Sequence, residues 1–500
     1  MLKTSLYFVV IGCVGLVFAD LEVAALDSWG ELARMFGGVM GPEWGVLYTL
    51  RSALTNTVIF AFCGLSFAVV FGGLLAFFFA YTPVRIFCAM IRAVHEIFWA
   101  LLFLPAVGLN PLCGVLAIGV PYAGILAKVY AEILQEAERR PLQGLPSGAG
   151  KIAHFFYGVW PTIARDVRHY TAYRFECALR SSAVLGFIGL PTLGFHLETA
   201  FREGLYGEAA ALLYFFYALV ASLNYWLKAR LAPFYAIASW FLLAGEWSFS
   251  WANIWRFFSY DILPWPMRRA GFADGSLAVE FPLGEVWIWL ANLLMGEALT
   301  GLWNTLVLTQ VALLATALFA LVGLAGVCRH FVARWLRYLS GWALIVLRTT
   351  PEYALAYFLV QLWGPSMLPA VVAIVLHNGA IMSHLMGGHA DGLVLRLDAP
   401  VGRVDRYFYE VLPRVYGQLL AFLLYRWEVM LRESAILGIL GIYTLGFYID
   451  SAFAEDKMDQ AALLILLTAL LNVCVDAISQ RVRRSFKLAL QAEALLNPQR

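Results

Sequence analysis

The sequence predicts an all-α, polytopic membrane protein built from two related halves, and two observations carry this prediction. The composition is strongly apolar, because 62% of the 500 residues are hydrophobic and only 14% are charged. Soluble domains are about half apolar and about a quarter charged, so this chain needs lipid as its solvent. In addition, a long segment of the first half recurs in the second half. The net charge of +2 gives no indication of a nucleic-acid partner.

Apolar stretches recur along the whole chain, and a membrane helix needs about 20 such residues to cross the hydrocarbon. We predict about twelve spans, near residues 5–19, 54–81, 88–106, 111–133, 172–190, 207–228, 232–252, 302–327, 340–362, 366–388, 420–441 and 459–478. The first stretch is short and follows Lys3, so it is either a retained helix or a signal peptide. We favour a retained helix, because the stretch at 232–252 looks like the counterpart of this first stretch in the second half.

The cationic residues predict the orientation of these spans. If the N-terminus is cytoplasmic, most of the 35 Lys and Arg residues fall in inside loops and at inner helix ends. This bias follows the positive-inside rule. We therefore expect a multi-pass protein of the bacterial inner membrane with both termini in the cytoplasm, including a basic tail at 481–500.

An internal repeat relates the two halves of the chain. Residues 173–210 align without gaps on residues 425–462, and about half of the paired positions are identical. Weaker matches pair Asn56-Thr57 with Asn304-Thr305, and Arg92 and Glu96 with Arg348 and Glu352. We predict two tandem six-helix repeats, at 1–230 and 231–480. With six helices each, the repeats share one orientation, and a transport pathway is expected between them.

Each half resembles a permease subunit of the phosphonate-type ABC importers, here fused into one chain. The resemblance is strongest in the repeated segments 173–210 and 425–462, and it includes an R-x-x-P-E pattern at 92–96 and 348–352. The first copy has His95 where proline is expected. The resemblance implies two type I ABC permease repeats and a permease for phosphonate or a related phosphorus oxyanion, such as phosphite or phosphate.

The same resemblance implies the partners of the chain. They are two copies of a cytoplasmic ABC ATPase, a periplasmic substrate-binding protein and membrane lipid, with no nucleic acid. The string from Gly144 to Lys151 looks like a phosphate-binding loop, but Ile152 stands where a hydroxyl residue is required, and no buried strand precedes it. We therefore expect the chain to be a transport subunit without enzymatic activity or bound cofactor, and ATP-Mg to bind the separate ATPase.

Permeases of this class carry a cytoplasmic loop that couples them to the ATPase, and the resemblance places two such loops at about 134–168 and about 391–418. The matching positions are Gln143, Gly144, Gly148 and Pro161 in the first loop, and Leu395, Gly402 and Pro413 in the second. Gln143 and Leu395 replace the glutamate of the family pattern, and Pro400 replaces its second glycine. These departures leave open whether the two loops bind the ATPase equally well.

Two repeated ion pairs are candidates for the substrate path. Glu176 precedes Arg180 by four residues, and Glu428 precedes Arg432 by four, so each pair shares one helix face. Charged groups within a membrane are costly, and they are usually paired or functional. Either the two arginines contact an anionic substrate, or each is neutralised by its glutamate and joins two helices. We favour the second alternative.

Repeated glycines follow these pairs where the apolar stretch ends. They are Gly186, Gly189 and Gly194, with copies Gly438, Gly441 and Gly446. Small residues permit close helix packing, and glycine permits a sharp turn beside a cavity. We favour packing with a turn. The alternative is a gate, in which Phe195 and Phe447 would act as plugs.

The remaining ionisable residues indicate no further chemistry. Glu96 and Glu352 are expected to pair with Arg92 and Arg348, since a proton relay would need several such groups in series. The seven cysteines form no C-x-x-C pair and the histidines form no H-E-x-x-H pattern, so no metal site and no catalytic residue are predicted. Two alternative functions remain open: an ion-coupled secondary carrier with two six-helix halves, and a membrane scaffold that does not transport.

Overall fold

The computed structural model describes residues 2–25, 27–138, 144, 146, 150–243, 250–270 and 277–496. The helices are α1 (Leu2–Phe18), α2 (Ser28–Met40), α3 (Gly45–Thr49), α4 (Arg51–Phe77), α5 (Thr82–Ala93), α6 (Glu96–Val107), α7 (Pro111–Glu136), α8 (Lys151–Ala153), α9 (Trp160–Val184), α10 (Leu193–Arg202), α11 (Tyr206–Trp226), α12 (Ala232–Leu242), α13 (Trp251–Arg256), α14 (Leu283–Leu293), α15 (Leu299–Val327), α16 (Arg334–Thr349), α17 (Glu352–Trp363), α18 (Met367–Asp391), α19 (Arg403–Asp405), α20 (Leu412–Ile439), α21 (Leu445–Ala454) and α22 (Met458–Leu496). In the described residues, strand pairing is limited to one short antiparallel ladder between β1 (Arg268–Ala270) and β2 (Leu277–Val279).

Short segments of other helical types connect several of these elements. Tighter 3-10 turns lie at Leu185–Ile188 and Trp265–Met267, and wider π-helical turns lie at His154–Val159, Phe257–Asp261, Leu294–Ala298 and Arg406–Val411. Two of the π-helical turns lead directly into α9 and α20, each of which carries a proline in its first turn. Proline is tolerated there because the first N–H groups of a helix have no partner inside the helix.

Within the described residues, six helical stretches are long and apolar enough to cross a membrane. They are Arg51–Phe77, Pro111–Glu136, Tyr206–Trp226, Leu283–Val327, Met367–Asp391 and Met458–Arg484. Three bent pairs of helices pass the same test, namely Thr82–Ala93 with Glu96–Val107, His154–Ile188 with Leu193–Arg202, and Arg334–Thr349 with Glu352–Trp363. The described part of the chain therefore has six spans, or nine if each bent pair counts as one. This confirms a polytopic, helical membrane protein.

The remaining three expected spans contain described helices that do not pass this test alone. Ser5–Phe18 and Ala232–Leu242 are apolar but shorter than the roughly 20 residues that cross the hydrocarbon. The stretch at 420–441 falls in α20, which carries several charged side chains along its length. Within the described residues, length or charge therefore separates these helices from the others.

The chain divides into two compact units, one made of residues 1–35 and 264–500, the other of residues 36–263. In the first unit, α1 packs on α15, and the rings of Phe18 and Trp303 meet edge to face at 5.5 Å. In the second unit, α12 packs on α4, where the Trp240 indole N–H donates to the Ser66 hydroxyl at 2.8 Å. The opening segment of each predicted repeat thus belongs to the unit that holds most of the other repeat. The repeat boundaries themselves stay a prediction.

One closely packed pair of helices forms the centre of each unit. These pairs are α4 with α7 and α15 with α18. A side chain added at Gly72 would meet the Ala123 carbonyl oxygen at 2.7 Å, and one added at Gly379 would meet the Phe319 ring at 2.5 Å. The glycines therefore allow the close helix approach on which association in lipid depends.

Candidate functional site

Sharp bends interrupt one predicted span in each half of the chain. Helices α5 and α6 meet at 95°, and α16 and α17 meet at 96°. The two breaks use different residues. Pro351 precedes α17 and has no N–H to donate. His95 precedes α6, and its ring Nδ1 accepts from the Ile97 N–H at 3.2 Å. Histidine therefore caps the helix at the position where the family pattern has proline.

A buried polar cluster, here called the Glu96 cluster, joins the first bend to α7 and α9. The Ser181 hydroxyl donates to the Glu96 carboxylate, and the Tyr122 hydroxyl lies 3.0 Å from the same Ser181 oxygen. The Arg174 guanidinium lies 5.8 Å from the centre of the Tyr122 ring, and its Nε donates to the Tyr170 hydroxyl at 2.9 Å. The His95 Nε2 lies 3.9 Å from the other Glu96 oxygen, so hydroxyls, aromatic rings and one imidazole lie around this carboxylate.

The corresponding Glu352 cluster joins the second bend to α18 and α20. The His377 Nε2 lies 2.7 Å from a Glu352 carboxylate oxygen. The Asn378 amide donates to Glu433 at 3.0 Å, and its oxygen accepts from Arg426 Nε at 2.6 Å. Arg426 Nη2 lies 3.6 Å from Glu433 Oε1. This cluster therefore contains two carboxylates, one guanidinium and one imidazole.

The two clusters occupy matching positions in the sequence repeat but differ in chemistry. Arg174 and Arg426 are the same residue in both copies, whereas Ser181 aligns with Glu433. Sequence reasoning missed both clusters, because it favoured the neighbouring pairs instead. The identical arginines two positions before Glu176 and Glu428 were the available signal.

The four residues of those neighbouring pairs are half-buried in the structure. Glu176 and Arg180 lie on α9, and Glu428 and Arg432 lie on α20. The described contacts of Arg180 include one between its Nη2 and the Cys177 sulfur at 3.6 Å. A role in the substrate path stays a prediction for all four.

The repeated glycines form two backbone contacts of the same kind. A Cβ added at Gly186 would lie 2.0 Å from the Phe195 backbone nitrogen, and one at Gly194 would lie 1.8 Å from the Ala183 carbonyl oxygen. In the second half, a Cβ added at Gly438 would lie 2.1 Å from the Phe447 nitrogen, and one added at Gly446 would lie 2.0 Å from the Ala435 oxygen. No side chain fits at any of these glycines without moving the backbone.

A left-handed turn connects the helices at each glycine contact. Gly189 has φ of +89° and Gly441 has φ of +86°, a conformation that glycine adopts without a steric penalty. Phe195 follows the first turn and is exposed, and Phe447 follows the second and stacks edge to face on Tyr443 at 4.6 Å. A gating role for either phenylalanine stays a prediction.

The repeated Asn-Thr dipeptides fasten these turns to α4 and α15. The Thr57 hydroxyl accepts from the Leu193 N–H at 2.8 Å, and the Thr305 hydroxyl accepts from the Leu445 N–H at 3.0 Å. The amides of Asn56 and Asn304 donate to the carbonyls of Pro191 and Tyr443 at 3.2 Å and 2.8 Å. Each dipeptide therefore anchors the first turn of α10 or α21.

The predicted coupling loops contain exposed apolar side chains. In the first loop, Ile152, Phe156 and Tyr157 are exposed, and Pro161 lies in the first turn of α9. Gly144 is also exposed, whereas Gln143 and Gly148 lie outside the described residues. The second loop exposes the apolar residues Val394, Leu397, Val401, Val404, Phe408 and Tyr409.

The second loop is organised around a buried glutamate. Glu410 is only 3% exposed and forms ion pairs with Arg414 at 2.8 Å and Arg396 at 3.8 Å. Arg414 also donates to the Val394 carbonyl at 2.8 Å. Among the predicted loop positions, Leu395 is half-buried, Gly402 precedes α19 and Pro413 lies in the first turn of α20. Glu410 aligns with Gly158 in the first repeat, so this arrangement belongs to one loop.

Comparison with known proteins finds several transport permeases. HtxE of Stutzerimonas stutzeri, named as a phosphite transport system permease protein, is 35% identical over 154 residues, which are 31% of this chain and 59% of HtxE. The phosphate-import permease protein PhnE of Mycolicibacterium smegmatis is 23% identical over 493 residues, covering 93% of this chain and 90% of PhnE. PhnE2 of Escherichia coli K12, named as a cryptic phosphonate transport system permease protein, is 31% identical over 111 residues, which are 22% of this chain and 91% of PhnE2. No family model and no solved structure matches the chain.

Proposed function

Because the chain belongs to the family of permeases of phosphonate-type ABC importers, we propose that it forms the membrane pathway of an ATP-driven importer for a phosphorus oxyanion. The observation that carries this proposal is the match to a phosphate-import permease over 93% of the chain. A match of this length includes both halves of the chain and supports one fused permease. Phosphonate, phosphite and phosphate are the candidate cargoes, since the relatives carry these three names.

The coupling loops support a pair of ATPase subunits as the partners. Each loop leads through a π-helical turn into a helix that starts with proline. Tyr157 and Tyr409 are 74% and 75% exposed within these turns. Aromatic side chains of this kind contribute much of the binding energy in protein interfaces. The chain then contributes no catalytic residue, and ATP-Mg binds the two ATPase copies.

The distribution of charge supports an inner-membrane location with both termini in the cytoplasm. In that orientation the cationic residues of both coupling loops lie on the cytoplasmic side, in agreement with the positive-inside rule. A periplasmic substrate-binding protein then delivers the cargo from the opposite side.

Uptake by phosphorus-starved cells tests this proposal and identifies the cargo. Cells with and without the gene are compared for uptake of aminoethylphosphonate, methylphosphonate, phosphite and phosphate. We expect selective loss of one or more of these activities without the gene. Unchanged uptake of all four, with the protein present in the membrane of the parent cells, would contradict the assignment to phosphorus compounds.

Substitution of the exposed tyrosines tests the ATPase partner separately. Tyr157→Ala and Tyr409→Ala should each weaken binding of the purified ATPase by about tenfold or more, because interface aromatics commonly contribute more than about 1.4 kcal/mol. Tyr225→Ala is the matched control, since Tyr225 is 80% exposed at the end of α11. Equal affinity for all three variants would argue against these loops as the ATPase contact.

A further inference from the structure

A histidine of the Glu352 cluster is buried between two hydrogen-bond acceptors. His377 lies in the middle of α18 and is fully buried. Its Nδ1 lies 3.0 Å from the Thr350 carbonyl oxygen, and its Nε2 lies 2.7 Å from Glu352 Oε1. Thr350 is the last residue before Pro351, so both contacts of the ring are made to the bend between α16 and α17.

Hydrogen bonding at this ring requires one proton more than a neutral histidine and an ionised glutamate possess. A carbonyl oxygen can only accept, so Nδ1 must carry the hydrogen that is donated to Thr350. In a neutral imidazole, Nε2 then presents a lone pair to the Glu352 oxygen. At 2.7 Å this contact is a hydrogen bond only if a proton lies between the two atoms. That proton is held either by an imidazolium ring or by a protonated Glu352.

A metal ion accounts for this geometry less well than a proton does. Glu352, His377 and Glu433 offer ligand-type atoms that all lie within 4.8 Å of one another. However, a tetrahedral metal that binds each ligand atom at about 2.0–2.2 Å holds two of them about 3.3–3.6 Å apart, which is farther than the 2.7 Å between His377 Nε2 and Glu352 Oε1. Glu433 is also engaged already, because it accepts from the Asn378 amide and faces the Arg426 guanidinium at 3.6 Å.

We propose that the second bend is a proton-binding site, in which Glu352 and His377 share one proton that holds α17 against α18. When the proton is lost, the imidazole and carboxylate lone pairs oppose each other, and the contact at the bend is weakened. The site therefore makes the stability of one bend depend on pH.

The helices that pack against this pair carry further charged or titratable groups. They are Glu433, Arg426, Glu428, Arg432 and Arg414 on α20, Arg348, Arg334 and Arg337 on α16, and His384, His389 and Asp391 on α18 itself. Glu433 interacts electrostatically with Glu352, His377 and Arg426. Helix α15 contributes no charged residue, and α17 contributes Glu352 alone. These groups do not change between the variants compared below, so their contribution cancels in a difference.

The first bend also places a histidine beside its glutamate, but the proton count differs. The His95 Nε2 lies 3.9 Å from the Glu96 carboxylate, and its Nδ1 accepts from the Ile97 N–H, so a neutral ring already carries its hydrogen on Nε2. Pro121 of α7 aligns with His377, and Glu96 accepts from the Ser181 hydroxyl, which carries its own hydrogen at every pH in the useful range. The two bends have nearly the same angle and matching positions in the repeat. The first bend is therefore an internal control for the second.

The sign of the expected pH dependence follows from the number of protons bound. An exposed histidine is mostly neutral above about pH 6.5, and an exposed glutamate is ionised there, so the unfolded pair binds no extra proton. The folded pair binds one. Stability must therefore decrease as pH rises, and each linked proton changes the unfolding equilibrium constant by up to about tenfold per pH unit.

The test compares reversible unfolding of the full chain in mixed micelles from about pH 6 to about pH 9. Glu352→Gln is the main variant, because its amide can donate to a neutral Nε2 and needs no extra proton. We expect the unfolding constant of the unmodified chain to rise more steeply with pH than that of Glu352→Gln, by up to about tenfold per pH unit. Glu96→Gln, at the first bend, should keep the steep dependence.

Two results would overturn the proposal. One is the same pH slope for the unmodified chain and for Glu352→Gln. The other is a pH dependence that disappears on chelation and returns when zinc is added, which would assign the site to a metal ion. If Glu352→Gln does not fold, infrared spectra of the unmodified chain provide the second measurement. A pH-dependent band of a buried carboxyl or imidazolium group is expected, and its absence would contradict the shared proton.

Discussion

The two bends of the molecule have almost identical geometry but different interiors. Helices meet at 95° in the first half and at 96° in the second. Yet Glu96 accepts from the Ser181 hydroxyl and has the His95 imidazole only at 3.9 Å, whereas Glu352 faces the His377 imidazole at 2.7 Å and has a second carboxylate nearby. The comparison teaches that backbone shape and polar chemistry are separable after a duplication. The shape depends on shared features, such as the helix break, while the buried side chains are free to diverge.

The glycine turns belong to the part that both halves share. A Cβ added at Gly186 or Gly438 would lie 2.0 Å or 2.1 Å from a backbone nitrogen at matching positions of the two halves. The buried interior of the two clusters is the part that differs. Four tests by substitution can break or sharpen this distinction, and they are given from the largest expected effect to the smallest.

Alanine at either glycine should have the largest effect, and the same effect in both halves. Gly186→Ala and Gly438→Ala force a methyl group against backbone atoms that cannot rotate away, so we expect losses above about 4 kcal/mol in the free energy of unfolding. The measurement is unfolding in mixed micelles, together with the amount of protein in the membrane. Gly388→Ala is the control, because nothing lies within 4 Å of its added Cβ. A well-folded Gly186→Ala protein would contradict the close packing.

Removal of the shared arginine should affect the two halves unequally. Arg426→Met leaves Glu433 and Asn378 buried without their cation, which costs about 3–5 kcal/mol. Arg174→Met removes contacts with tyrosine rings and one tyrosine hydroxyl, which are worth about 1–2 kcal/mol. Both are measured by unfolding in mixed micelles. Equal losses would mean that the two clusters are energetically equivalent despite their different side chains.

The hydroxyl of the first cluster should matter less than the second arginine. Ser181→Ala removes the donor to Glu96 and the partner of the Tyr122 hydroxyl, with an expected loss of about 1–3 kcal/mol. Ser182→Ala is a matched control on the same helix, because that buried hydroxyl bonds to the Leu179 carbonyl of its own helix. If Ser181→Ala loses no more stability than Ser182→Ala, the Ser181 hydroxyl does not contribute to the stability of the cluster.

The asparagines that anchor the two turns should have the smallest effect. Asn56→Ala and Asn304→Ala each remove one exposed hydrogen bond to a backbone carbonyl, so we expect similar losses of about 0.5–1.5 kcal/mol. Asn224→Ala, an exposed asparagine of α11, serves as the control. A clear difference between the first two variants would show that the shared turns have also diverged.

Much of the helical architecture could be predicted from apolar run length. The predicted spans at 54–81, 111–133 and 366–388 match α4, α7 and α18 closely. The bends could not be predicted, since the stretch at 88–106 is apolar on both sides of the break. Composition measures how apolar a segment is, and it does not measure its direction. Pro351 indicates the break in one copy, but His95, at the matching position of the other copy, gives no such indication.

The polar clusters were less predictable than the helices for a similar reason. Arg426 and Asn378 are 48 residues apart in the chain, and no local spacing predicts their contact. The sequence also gives no indication that α1 packs on α15, because apolar helices of this kind have no preferred partner until the whole unit forms. The repeated glycines were found because their role depends on local backbone conformation, which repeats with the sequence.

The central claim is that ATP hydrolysis on partner subunits drives import through this chain, and reconstituted transport tests it most directly. Proteoliposomes contain the chain with its ATPase, the binding protein is added outside, and uptake of labelled phosphite or phosphonate is followed with and without enclosed ATP-Mg. We expect uptake that requires ATP and persists when ionophores collapse all ion gradients. Uptake that proceeds without the ATPase and stops with the ionophores would contradict the account and identify an ion-coupled carrier.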